Sequence, residues 1–175
     1  MMFPNMNRSQ GEGSMKSNYS KYIIIFIAIL AFIIAWGCSR TTTNIGPGGQ
    51  VKFQTVLSTQ QSLADTASVY LCDSNGQWKK IWRMATGQID PQPELPKIDF
   101  GQNYILAIFM GKKGASGHRN EIVKIVKKGQ KLIVTVENHH ATGGMFLPVV
   151  TSPFHIVTIP KGNYKLDIRY VTIND

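Results

Sequence analysis

The sequence predicts a mainly β domain over residues 51–175, antiparallel and sandwich-like, with one short helix. An α+β arrangement satisfies the same pattern. Three observations carry this. Apolar residues fall in short blocks of strand length, many of them alternating with polar ones. Gly (16) and Pro (8) accompany many Val, Ile, Thr and Tyr, a turn-rich β composition. Charged residues are only 17%, low for a helical bundle or coiled coil. The 43% hydrophobic content supplies a core and excludes full disorder. Two Cys exclude a disulfide-dense scaffold and a Cys-rich zinc module.

The expected strands are Val51–Leu57, Ser68–Cys72, Tyr104–Met110, Glu121–Lys127, Lys131–Asn138, Phe154–Pro160 and Lys165–Ile173. Lys128-Gly129-Gln130 is a hairpin turn, with Gly129 supplying a positive φ. In the last strand Lys165, Asp167 and Arg169 face water. Trp78, Ile81, Trp82 and Ala85 recur at i, i+3, i+4 and i+7, which predicts a helix over Asn75–Ala85. Asp73 or Ser74 caps its start and Gly87 ends it. The two Trp read as core anchors. Gln88–Lys97, with three Pro, reads as an ordered crossing loop. Cys72, inside an apolar strand, reads as a small buried hydrophobe.

Residues 1–37 read as a signal peptide, with Met15 as an alternative start. Arg8, Lys16 and Lys21 against Glu12 make this leader basic; +7 of the chain's net charge of +9 lies downstream. Tyr22–Gly37 is uncharged and shorter than the ~20 residues of an upright spanning helix. It ends at Ala35-Trp36-Gly37-Cys38, which resembles a bacterial lipobox. A thiol is needed there because it forms the thioether to diacylglycerol. The amino group freed by cleavage is then acylated, with palmitate as the expected chain. Each buried CH₂ contributes roughly 0.8 kcal/mol, so two or three chains hold durably where one does not. The competing reading is an uncleaved anchor helix with Cys38 at its edge. Ser39, not Asp, follows the Cys and favours outer-membrane sorting in a bacterium with two membranes. Residues 38–50 then hold the lipidated Cys and a flexible tether.

The order of motifs downstream resembles the C-terminal domain family of protease complex subunit PrcB. Val69-Tyr-Leu-Cys-Asp-Ser-Asn-Gly-Gln-Trp-Lys-Lys-Ile-Trp82 resembles its strand, acidic turn and Trp-ended helix. Pro96-Lys-Ile-Asp99-Phe100 leads into a strand ending at Gly111, as in the family. Gly111-Lys-Lys-Gly-Ala-Ser116-Gly117-His118 stands where the family has a Thr-Gly-Gly-Tyr type of segment, with Ser for Thr and His118 in place of Gly and Tyr. Thr151-Ser-Pro153-Phe154 resembles its Ser-Pro-Tyr strand entrance, and Pro160-Lys161 its closing pair. The resemblance implies a non-enzymatic envelope lipoprotein that assembles, stabilises or anchors a surface protease complex. It implies no catalytic residue and no cofactor.

The expected partners are therefore a lipid bilayer, through Cys38, and a protein, with no nucleic acid. The expected contact residues are loop-borne: Gly111, Ser116, Gly117, His118, Gly143, Gly144, Pro153 and Phe154. The same loops resemble those of chagasin-like cysteine protease inhibitors, at Ser116-Gly117-His118, Gly143-Gly144-Met145 and Pro153-Phe154. Direct inhibition is the alternative function.

Two chemical readings fail on pattern. Gly114-Ala-Ser116-Gly-His118 lacks the final Gly of a nucleophile elbow, and a strand follows it. His139-His140 have no metal-ligand spacing, and Asn138 with Gly143-Gly144 suggests a loop there. No metal is expected. Lys79, Lys80, Lys112, Lys113, Arg119, Lys124, Lys127, Lys128 and Lys131 read as a solvated basic face, available to anionic headgroups or an acidic partner.

Overall fold

A computed structural model describes residues 46–140 and 147–174. The chain divides into two units, Met1–Thr42 and Thr43–Asp175, and the described residues belong to the second. The expected signal peptide, Cys38, Gly143 and Gly144 lie outside the described residues.

The domain is mainly β with one helix, as the pattern predicts. Its strands are β1 (Gln54–Thr59), β2 (Ser68–Cys72), β3 (Asn103–Phe109), β4 (Arg119–Lys128), β5 (Lys131–His140), β6 (Phe154–Pro160) and β7 (Lys165–Asn174); α1 is Asn75–Thr86. One sheet has the order β1-β6-β3-β2 and the other β4-β5-β7. Every described strand pair is antiparallel except β5–β7, which is parallel. That pair departs from the antiparallel expectation. β6 is inserted into the other sheet between them, so the chain has reversed twice before β7 begins.

Three layers result, and they explain the unbroken apolar runs. Ile105, Ala107 and Phe109 of β3 face α1, where they pack with Trp78, Ile81, Trp82 and Ala85. Leu106 and Ile108 face the second sheet and pack with Ile122, Ile125, Leu132, Val134 and Val136. β6 does the same, with Phe154 and Ile156 under the helix and Val157 and Ile159 between the sheets. Strands covered on both faces carry apolar residues at both parities.

The helix is anchored by its tryptophans. Trp78 Nε1 donates to Pro96 O and Trp82 Nε1 to Pro93 O, both at 3.0 Å. These bonds hold Gln88–Lys97 across the helix, so the Pro-rich stretch is an ordered crossing. Ser74 stands at the N-cap without a side-chain bond, and Gln77 Oε1 instead accepts the Asp73 N–H at 3.1 Å. Gly87 ends α1 in a right-handed conformation, its N–H on Arg83 O.

Residues 46–50, expected as part of the tether, are bonded to the domain. A 3-10 turn occupies Pro47–Gly49, Gln50 bridges Val126, and Val51 N–H donates to Ile125 O at 2.9 Å. Residues 46–50 therefore belong to the domain, and β1 begins at Gln54, not at Val51. Gly49 makes this approach possible: its φ is 79°, and a Cβ there would stand 2.6 Å from Lys127 O.

Candidate functional site

The chain leaves β3 through Gly111, whose φ is 72° and whose added Cβ would meet Ala67 N at 2.7 Å. Only glycine passes there. The following loop is zipped to residues 147–153. Lys113 and Thr151 exchange backbone bonds at 2.8 and 2.9 Å. Ser116 N–H donates to Leu147 O, and Leu147 N–H returns to Ser116 Oγ, both at 3.0 Å. Thr151 Oγ1 donates to Ala115 O at 3.0 Å. Ser116 is thus a turn hydroxyl satisfying backbone, as such a residue does in a tight loop.

The structure brings Lys113, Ala115 and Ser116 of this loop together with Leu147 and Thr151, whereas Gly111 stands against Thr66 and Ala67 and His118 against His140. It does not place Pro153 and Phe154 on that surface. Both are buried, and Phe154 packs under α1 at 5.5 Å from the Phe109 ring. Their assignment as contact residues is corrected on that ground. Ser-Pro-Phe marks the entrance of a strand covered on both faces, so its aromatic belongs to the core.

His139 and His140 also differ from expectation. They end β5 and do not form a loop. Their side chains take opposite faces, as strand geometry requires. On one face Arg119 Nη2 donates to His139 Nδ1 at 2.8 Å. On the other His140 meets the edge of His118, with ring centroids 5.4 Å apart. Burial lowers the His118 pKa, His140 and Lys113 lower it further, and a hydrogen bond to the His139 backbone opposes them. These causes together favour the neutral ring of His118. Among the described residues no group of three or more His, Cys, Asp or Glu could hold a metal ion.

Beside this pair a cleft of about 200 Å³ opens between the sheets, lined by Lys113, Asn120, Asn138, His140, Tyr170 and Phe109 among others. Asn120 Nδ2 donates to Ile108 O at 3.1 Å. That bond orients the amide, because a carbonyl only accepts, and leaves Oδ1 without a partner among the described residues.

The feature that sequence reading missed is apolar. Leu147 is 67% exposed and Val150 61%, with Val149 exposed between them. Tyr170 and Val171 add exposed apolar area on β7. The signal was present as Leu-Pro-Val-Val, an apolar run outside every strand block and interrupted by Pro148. These exposed apolar side chains are held on a hydrogen-bonded scaffold beside Lys113. Cys72 has no part in this. Burial and then Asp73 push its thiol up to about 11, so it stays protonated.

Compared with known protein families, with curated proteins and with solved structures, the chain matches none. Among the described residues no helix is long and apolar enough to cross a membrane.

Proposed function

We propose that this chain is a non-enzymatic envelope lipoprotein. Cys38 carries the lipid, and the β domain binds a protein partner through its loop end. The PrcB-like order of motifs suggests that the partner belongs to a surface protease complex, which the chain assembles, stabilises or anchors. The observation that carries the reading is the exposed Leu147–Val150 tip, held by Ser116 and Lys113 against the Gly-rich loop. Lys124, Lys128 and Arg169 line a concavity of about 390 Å³ outside the second sheet, which supports contact with anionic headgroups or an acidic partner. The chagasin-like alternative loses support, because Phe154 is a core residue and offers no wedge.

The test is a crosslinked pull-down of the full-length, lipidated chain from its own membranes. A surface protease should be retained in fixed ratio. Leu147→Asp with Val150→Asp should abolish that retention while moving stability by less than about 0.5 kcal/mol, since both side chains face water. Cys38→Ala should release the chain from the membrane fraction. Retention of lipid alone would remove both the complex-subunit and the inhibitor readings.

A further inference from the structure

Four strands end the two sheet orders: β1, β2, β4 and β7. An unpaired strand edge invites pairing with another chain, and proteins guard such edges with bulges, charges or cover. Three of the four are guarded. β1 shifts register between Thr55 and Leu57. β4 shifts register between Ile122 and Lys124, and its edge is covered by Gln50, by Val51 and by His155, which accepts the Ile122 N–H. β7 carries Lys165, Asp167 and Arg169 along its first half.

β2 has none of these devices. Ser-Val-Tyr-Leu-Cys contains no charge and no Pro, and pairs with β3 in unbroken register from Ser68 to Cys72. Among the described residues no backbone bond reaches its outer side. Beside it runs one stripe of α1. Gln77, Lys80, Ile81 and Met84 stand at i, i+3, i+4 and i+7, and with Tyr70 and Cys72 they line a groove of about 440 Å³. Apolar surface dominates the groove, and Lys80 is its one charge. Lys79 and Arg83 add positive charge to the helix, which holds no acidic residue.

We propose that β2 and α1 form a strand-addition groove for an extended segment of another protein. Main-chain bonds to β2 align the segment, and alternate side chains enter the groove. The groove-facing positions are apolar over Ile81 and Met84 and acidic opposite Lys80. A second copy of this chain is disfavoured as the occupant. Two β2 edges brought together would set helices bearing only cations near each other. The proposal goes beyond the loop-end reading, shares no lining residue with that cleft, and stands or falls without it.

The test uses the full-length chain and blocked heptapeptides with threonine at odd positions. The probe has valine, glutamate and valine at the even positions; the control has lysine for the glutamate. With the probe, amide hydrogen exchange over Ser68–Cys72 should slow at least tenfold. The control should bind at least tenfold more weakly. Lys80→Glu, an exposed position, should invert that preference. N-methylation of either the even or the odd amides should abolish binding in one of the two series. Equal binding of both peptides, unchanged binding by both methylated series, or no protection of β2 at millimolar peptide would overturn the proposal. So would protection that rises with chain concentration alone, which would assign the edge to a second copy.

Discussion

Trp78→Ala is expected to destabilise the domain by about 3–5 kcal/mol, because its side chain is wholly buried and truncation leaves a cavity. The indole lies between the helix and the first sheet, 5.1 Å from the Trp82 ring, and its N–H holds Pro96 O. Truncation leaves that carbonyl unpaired and loosens the crossing loop over the helix. Against a typical total stability of about 5–15 kcal/mol, the loss is large. Urea unfolding followed by circular dichroism measures it. Trp78→Phe should cost less, since most of the volume stays and chiefly the bond is lost, about 0.5–1.5 kcal/mol. A Trp78→Ala loss below 1 kcal/mol, roughly that of a surface change, would contradict the packing described. The same reasoning applies to Phe154, equally buried in this layer. A Phe154→Ala variant that fails to bind a partner would report a damaged core, not a lost contact.

His155 should make stability fall in mild acid. It lies on β6 between the sheets, with Ile122 N–H donating to Nδ1 at 2.8 Å and Nε2 donating to Thr55 Oγ1 at 2.9 Å. These bonds demand a neutral ring with its proton on Nε2. Burial holds the pKa below the ordinary histidine value, against an opposing pull from Glu121. The unfolded chain titrates near the usual ~6.5. Below that pH the unfolded chain takes up a proton that the folded one refuses. Stability contributed by the neutral ring is therefore complete above the unfolded pKa. It declines as pH falls toward the folded pKa, by at most about 1.4 kcal/mol per pH unit for one proton. His155→Ala should flatten this dependence. It should also cost about 1–3 kcal/mol at neutral pH for the orphaned Ile122 N–H, with the lost packing added. His118, also lowered, contributes in the same direction. His118→Gln measured in parallel separates the two. An unchanged acid profile in His155→Ala would assign the effect elsewhere.

The strands and the helix were legible because burial writes a period into the sequence. Two covered faces left the runs Tyr104–Met110 and Phe154–Pro160, one covered face left the alternation of Lys131–Glu137, and a covered helix left Trp78, Ile81, Trp82 and Ala85. Ser68–Cys72 and Phe154–Pro160 were located to the residue. Local chemistry misled where polar or small residues continue a strand. His139 and His140 looked like loop because Asn138 and the glycines flank them, yet β5 pairs through them with β4 and β7. Residues 46–50 looked like tether because Gly and Pro carry no periodicity, yet their backbone bonds fix them to β4.

The candidate site divides in the same way. The Gly111–His118 loop was recognisable from its glycines, and Ser116 as a turn hydroxyl from its neighbours. The sequence alone determined the element types, their order and the apolar faces, because these follow from local spacing of side chains. Only the tertiary structure decided that β6 joins β3 in one sheet while β7 runs parallel to β5 in the other. Only it decided that Phe154 is core, that Leu147 and Val150 are surface, and that β2 is left open beside α1. Those outcomes depend on which distant segment covers a residue. Coverage is a property of the assembled layers, and no local period records it.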